Sequence, residues 1–220
     1  MANASPIPNL VTDTWIKASW EEFMALAENP AYEKGRFYYE QGYLRLEMSL
    51  IGSSHSQDNN VVANVVNLYA TVKNLRMKGL VYGSFLKPEV RKFQPDLAFY
   101  IGSEFKLPPR NNLPIDLRKF APPTLVVELG TTSLNDDLGR KRLIYERARI
   151  PEYWVVDVNA ADVIAFEIER GRSGEIEESR VLPGLAIALV EEALQRSQNQ
   201  DDGEINRWLL QVFSDRGIRF

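Results

Sequence analysis

Between residues 124 and 157 the chain has little choice of topology. Residues 124–129 read as a strand in which Leu125, Val127 and Leu129 alternate with Val126 and Glu128. A helix follows over about 136–149, and the run Pro151-Glu-Tyr-Trp-Val-Val-Asp157 begins another strand. Strand, helix and strand within about thirty residues make a βαβ unit, so the two strands are expected to be parallel with a right-handed crossover. A parallel pair is covered on both faces. Glu128, between two apolar residues of such a strand, is a carboxylate where charge without a partner is costly.

Other elements surround this unit. Ser19 caps a helix over 19–29, with Glu22 completing a capping box and Trp20, Phe23, Met24 and Ala27 at helical spacing. Residues 36–51 read as two strands about Gln41-Gly42. In the second, Leu44, Leu46, Met48 and Leu50 alternate with Tyr43, Arg45, Glu47 and Ser49, which turns Glu47 away from the apolar face. Ser54-His-Ser-Gln57 offers another capping box, opening a long helix with Val61, Val62, Val65, Tyr69, Val72 and Leu75 as its buried stripe and Gly79 as its stop. Strands are expected near 80–85, 89–93 and 96–101, and a hairpin over 163–169 and 175–180. Residues 102–123 hold five of the twelve prolines and no periodicity, a connection long enough to be functional or mobile. Ile205, Trp208, Leu209, Val212 and Phe213 form an amphipathic helix after the polar stretch 195–203. The expected organisation is a loose lead-in over 1–14, one domain over 15–194, and a polar linker with a final helix over 195–220.

At 220 residues, with 45% hydrophobic and 25% charged side chains, the chain has ordinary globular composition and enough apolar material for a sizeable core. The absence of cysteine excludes disulfides, thiolate nucleophiles and cysteine-ligated zinc. A single histidine, His55, excludes any site needing two imidazoles from one chain. No N-terminal apolar segment resembles a signal peptide, and the longest apolar run, 184–190, is too short to span a bilayer. The expectation is a soluble, cytoplasmic protein with no membrane partner. A formal charge of −4 argues against coating nucleic acid by bulk electrostatics, but Arg140, Lys141, Arg142, Arg147 and Arg149 concentrate positive charge on one helix. That concentration is either a substrate-facing patch or a solvated helix face.

The chemistry-bearing residues cluster by topology. If 96–101 pairs antiparallel with 124–129, Asp96 and Glu128 become neighbours, with Cβ atoms about 5 Å apart. Two carboxylates that close repel unless a cation or shared proton intervenes, and Mg²⁺ or Mn²⁺ is the natural occupant. On the helix that folds back, Asp137, Lys141 and Tyr145 fall at i, i+4 and i+8, so Lys141 can face the carboxylates and steady a developing negative charge. Each residue also has a plainer reading: turn chemistry for Asp96, a structural ion pair for Glu128, a solvated or snorkelling amine for Lys141. Tyr145 and Tyr153 read as core aromatics. His55, Glu47, Asp137 and Tyr145 are accessory candidates, the first two being otherwise a helix-start surface residue and a solvent-facing strand residue.

Pro95-Asp96-Leu-Ala-Phe, Leu125-Val-Val-Glu128, Asp137-xxx-Lys141-xxx-Tyr145 and Ile150-Pro-Glu-Tyr-Trp-Val-Val-Asp157 together resemble the ordered blocks of the PD-(D/E)XK nuclease superfamily. The nearest likeness is to its Uma-type branch of restriction-endonuclease-like proteins, over about 15–190. Gly42, Glu47 and Ser54-His55 stand where that branch has its opening block. The resemblance implies an α/β fold with an αβββαβ core and a mixed central sheet, flanked by helices, plus an N-terminal helix and hairpin and a C-terminal helix. It also implies Mg²⁺-dependent hydrolysis of DNA and frequent homodimerisation, with Asp96 and Glu128 as metal ligands. The superfamily's (D/E)XK step reads Glu128-Leu129-Gly130 here, and the catalytic lysine is assigned to Lys141 on the following helix. A catalytically silent nuclease-fold dimer that binds nucleic acid or protein is the alternative that Gly130 and the net negative charge suggest. A paired-carboxylate glycosidase is disfavoured, because Lys141 would be idle and few aromatics stand near the carboxylates to stack a sugar.

Overall fold

The computed structural model describes residues 10–48 and 51–215. Ser49 and Leu50, the end of an expected strand, and the lead-in through residue 9 lie outside the described residues. In chain order the first elements are β1 (Ile16–Lys17), α1 (Trp20–Ala27), a 3₁₀ turn (Pro30–Tyr32), β2 (Arg36–Glu40), β3 (Tyr43–Glu47), α2 (Ser53–Val72), β4 (Met77–Val81), β5 (Phe85–Lys87), β6 (Arg91–Phe93), β7 (Leu97–Ile101) and β8 (Ile115–Asp116). There follow β9 (Leu125–Gly130), α3 (Leu134–Asp136), a π-helical stretch (Asp137–Lys141), α4 (Arg142–Ala148), β10 (Glu152–Asp157), β11 (Asp162–Glu169), β12 (Arg172–Ile176), α5 (Ile187–Ser197) and α6 (Asp202–Asp215). Two compact units result, one from residues 10–48, 83–94 and 108–120, the other from 51–82, 95–107 and 121–215.

The first unit is a sheet of order β1-β3-β2-β6-β5-β8 with α1 against it. The expected capping box is present: the Glu22 N–H donates to Ser19 Oγ at 3.2 Å and the Ser19 N–H donates to Glu22 Oε2 at 2.7 Å. The helix buries Phe23 and Leu26 against Phe37, Tyr39, Leu44 and Leu46. Gln41 and Gly42 turn the hairpin with φ of 46° and 85°, the left-handed pair that a two-residue hairpin loop needs. Glu47 does not face solvent as expected. It is buried between Arg36 Nη2 at 3.0 Å and Arg45 Nε at 2.9 Å, because β2 sets Arg36 opposite it and Arg45 lies two residues back on the same face.

The second unit runs α2-β4-β7-β9-α4-β10, the expected αβββαβ order, and its sheet reads β12-β11-β10-β9-β7-β4. The crossover pair β9/β10 is parallel, with Val126 beside Tyr153 and Glu128 beside Val155. Its neighbours pair antiparallel: β7 with β9, and β11 with β10. Alternation gives this sheet two distinct faces. Leu97, Phe99, Leu125, Val127, Leu129, Trp154 and Val156 join the core that contains Val62, Val65 and Val66 of α2, Val190 and Leu194 of α5, and Leu209 and Phe213 of α6. The opposite face carries Val126, Glu128 and Tyr153, and the Tyr153 ring packs 4.7 Å from that of Tyr145 on α4.

Several local expectations are corrected. α2 starts at Ser53 with Gly52 as N-cap and no side-chain cap, so Ser54 and Gln57 lie inside the helix, and Gln57 donates instead to Ser53 Oγ at 2.8 Å. The helix stops at Val72, where Asn74 takes a left-handed φ of 52° and the Leu75 N–H reaches back to the Ala70 carbonyl. Gly79 is no helix stop. It sits in β4 opposite Phe99, whose ring lies 3.1 Å from where a Cβ would stand. The later hairpin turns at Arg170-Gly171, so its second strand is 172–176 rather than 175–180. A helix that the sequence reading left out, α5, occupies Ile187–Ser197, and residues 195–197 of the expected polar stretch belong to it.

Phe213 is buried and meets Tyr69 of α2 edge-on, with ring centroids 4.9 Å apart. Truncating it leaves a cavity in the core beneath the last helix. Phe213→Ala is therefore expected to cost about 3–5 kcal/mol of folding stability, measured as a lower urea midpoint by circular dichroism. A change within error would mean that α6 is not part of the cooperative fold.

Candidate active site

Two strand ends and one irregular helix build the site. β7 and β9 are in register with Leu97 opposite Val127, and one further step along that ladder sets Asp96 opposite Glu128. The Leu129 N–H, at the same end of β9, donates to Asp96 Oδ2 at 2.8 Å. The other Asp96 oxygen lies 3.1 Å from Nε2 of His55 in the first turn of α2. His55 is thus buried at the site, not a surface residue, because it lies on the same side of α2 as the buried Asn59 and Val62.

Glu128 is approached from the returning helix. Tyr145 donates its hydroxyl to Glu128 Oε1, and Lys141 Nζ stands 3.5 Å from Oε2. Lys141 is closer to Asp137 Oδ1, at 2.9 Å. That contact is one of charges, and the ammonium's hydrogen bond goes to Glu128 Oε2. Asp137 is held in turn: Ser133 Oγ donates to its Oδ2 at 2.7 Å, and the Tyr153 hydroxyl donates to its backbone carbonyl at 3.0 Å. The helix is not a continuous α-helix as expected. Residues 137–141 are π-helical around Gly139, whose φ of −100° and ψ of −105° are not helical values. Asp137, Lys141 and Tyr145 nevertheless share one side, as their spacing implies. Tyr145, read as a core aromatic, is both buried and bonded to the carboxylate.

The cluster is dry. Asp96 and Asp137 are 0% exposed, Glu128 and Lys141 1%. Glu128 and Asp137 share the ammonium of Lys141, and Asp96 is held by His55 and the Leu129 N–H, so each buried carboxylate has the partner that burial requires. Among the described residues no group of three or more His, Asp or Glu side chains forms a metal cage. Two carboxylates are nonetheless a fitting donor set for a small hard ion, which keeps several waters and takes its remaining ligands from phosphate oxygens. Glu47, another accessory candidate, is engaged by Arg36 and Arg45 within the first unit.

The basic helix divides by face. Arg140, Arg147 and Arg149 are exposed, Arg142 lies 5.0 Å over the Phe166 ring, and Lys141 is turned inward. Sequence reasoning missed Ser133, Tyr153 and the Leu129 N–H as parts of the site. Ser133 had a usable signal, standing four residues before Asp137. The backbone donor had none.

A family model described as "Putative restriction endonuclease" (Uma2) matches residues 20–206. The chain belongs to that family. Its fold is similar to the crystal structure of a putative nuclease belonging to DUF820 from Anabaena variabilis ATCC 29413, with a TM-score of 0.57 at 14% identity, over 80% of this chain and 99% of that one. No curated protein matches the chain in sequence. Among the described residues no helix is long and apolar enough to cross a membrane.

Asp58 lies three residues beyond His55 on α2 and is buried. Burial pushes its carboxyl from 3.8 up to about 6, against the opposing pull of His55. A carboxyl raised in the fold stabilises the folded state at low pH, and that contribution is lost as pH rises through about 4 to 6. Asp58→Asn abolishes this titration. The stability of the variant relative to wild type, read from urea midpoints between pH 3 and 8, is expected to increase across that window and level off above it. A difference independent of pH would show that Asp58 titrates normally.

Proposed function

We propose that this protein is an endodeoxyribonuclease that depends on a divalent metal, with Asp96 and Glu128 holding Mg²⁺ or Mn²⁺ and Lys141 assisting. The observation that carries the reading is the buried pair of strand-end carboxylates, Asp96 and Glu128, facing each other across β7 and β9 with the Lys141 ammonium beside Glu128. A divalent ion, when bound, supplies Lewis acidity toward a phosphodiester and water. The protein's own groups orient and balance charge. The Leu129 N–H and His55 fix the rotamer of Asp96, and Tyr145 fixes that of Glu128. Lys141, beside Glu128, is placed to offset the charge that accumulates on the phosphate as its bond breaks. Exposed Arg140, Arg147 and Arg149 on the same helix suit contacts to the DNA backbone.

Cutting both strands of a duplex calls for two copies of one site related by a two-fold axis, so a homodimer belongs to this reading, as does a cytoplasmic location where DNA is met. Sedimentation with and without a short duplex tests the assembly. A monomer under both conditions would restrict the activity to nicking or to single strands.

A second reading, a silent nuclease fold that binds nucleic acid or protein, is favoured by Gly130 where the superfamily has lysine. Calorimetric titration with Mn²⁺ separates the two. The catalytic reading expects one saturable site per chain, lost in Asp96→Ala and Glu128→Ala, and the silent reading expects none.

With supercoiled plasmid and Mg²⁺ or Mn²⁺, the wild type is expected to nick or linearise DNA, and Asp96→Ala and Glu128→Ala to fall to background. Lys141→Ala is expected to lower kcat by about 10²–10³-fold, the scale for removing one transition-state charge partner. Cleavage that survives either carboxylate substitution would refute the assignment.

A further inference from the structure

Gly130 and Asp137 occupy one small volume. A Cβ at residue 130 would stand 2.8 Å from Asp137 Oδ2, 3.1 Å from Ser133 Oγ and 3.3 Å from the Leu134 nitrogen. The backbone there is ordinary extended strand at the end of β9, so the glycine answers a need for space rather than for a left-handed φ. Asp137 cannot easily yield. It is fully buried, tied through Oδ2 to Ser133 and through Oδ1 to Lys141, and its carbonyl is held by Tyr153. The ammonium of Lys141 lies 2.9 Å from Asp137, its closest charge partner and the one on its own helix, and donates a hydrogen bond to Glu128 at 3.5 Å. Between the two residues runs the π-helical stretch kinked at Gly139.

We propose that Asp137 is the positioning residue for Lys141, oriented by Ser133 and admitted by the bare Cα of Gly130. A Cβ at 130 would press on the carboxylate at 137 and force it to shift. An amine on the strand at 130 and an amine brought in from the helix by Asp137 are then alternative solutions, and this chain has taken the second. The arrangement rests on the nuclease reading for its effect on rate, but not for its geometry. Returning lysine to position 130 would not restore an orthodox site. It would expel Asp137 and release Lys141.

The test compares wild type with D137N, S133A, G130A, K141M and D137N/K141M. The ¹⁵Nζ resonance of Lys141, assigned by its loss in K141M, reports the seating of the ammonium without any catalysis. It is expected to be sharp in wild type and displaced or exchange-broadened in D137N, S133A and G130A. In plasmid cleavage, D137N and G130A are expected to lower kcat by about 10²-fold, the scale of a misplaced catalytic group, with KM little changed. The double variant is expected to lose no more than K141M alone, as for residues acting as one unit. Losses that multiply in the double variant would make Asp137 merely structural and overturn the proposal, as would a Lys141 resonance unmoved in both D137N and G130A. Should D137N not fold, S133A and G130A carry the same comparison. If the wild type fails to cleave DNA, the nuclease reading fails, and the resonance still decides whether Asp137 seats the amine.

Discussion

Every residue of β9 from Leu125 to Gly130 is buried, and Glu128 lies in the middle of that run with a parallel strand on one side and an antiparallel strand on the other. A carboxylate in such a place has no water to turn to, so the protein must bring its partners. The rest of the second unit answers that demand. The returning helix delivers Tyr145 and Lys141 to the two oxygens, and a third carboxylate, Asp137, follows the amine. Asp96, on the neighbouring strand, is met instead by His55 and the Leu129 N–H.

The sheet divides its labour between faces. One face is an apolar slab on which α2, α5 and α6 contribute to a single core, and it fixes where the strand ends lie. The other carries the charged cluster and the paired rings of Tyr145 and Tyr153. His55 connects α2 to the cluster, placing its ring against Asp96. The helix most involved in the core thus also supplies a side chain to the site, and small errors in its docking would be felt at Asp96.

Much of this was legible from residue patterns. The βαβ unit and the common side of Asp137, Lys141 and Tyr145 follow from periods of two and 3.6, whereas the approach of Asp96 to Glu128 depended on an antiparallel pairing that the sequence left as a condition. The errors have physical causes. Gly79 looked like a helix stop, but its missing side chain makes room for the ring of Phe99. Ser54 and Gln57 matched a capping box, yet the helix begins at Ser53 and places them within it. Glu47 and His55 looked solvent-facing, since alternation and helix phase report a face but not what comes to cover it. α5 was overlooked because the start of its sequence, read as a short apolar run, gave little sign of where a helix would begin.

What the amino-acid sequence determined by itself is local: which segments are strands or helices, which side chains share a face, and that Glu128 would be buried in need of company. Propensity, capping and alternation act within a few residues, so they are written in consecutive letters. Only the tertiary structure decided which charges meet. His55, Asp96, Glu128 and Lys141 come from separate elements, and the pairing register of the strands and the docking of the helices choose among partners. The empty volume at Gly130 belongs to the same class, since a glycine shows what it permits only when the atoms filling that space are known.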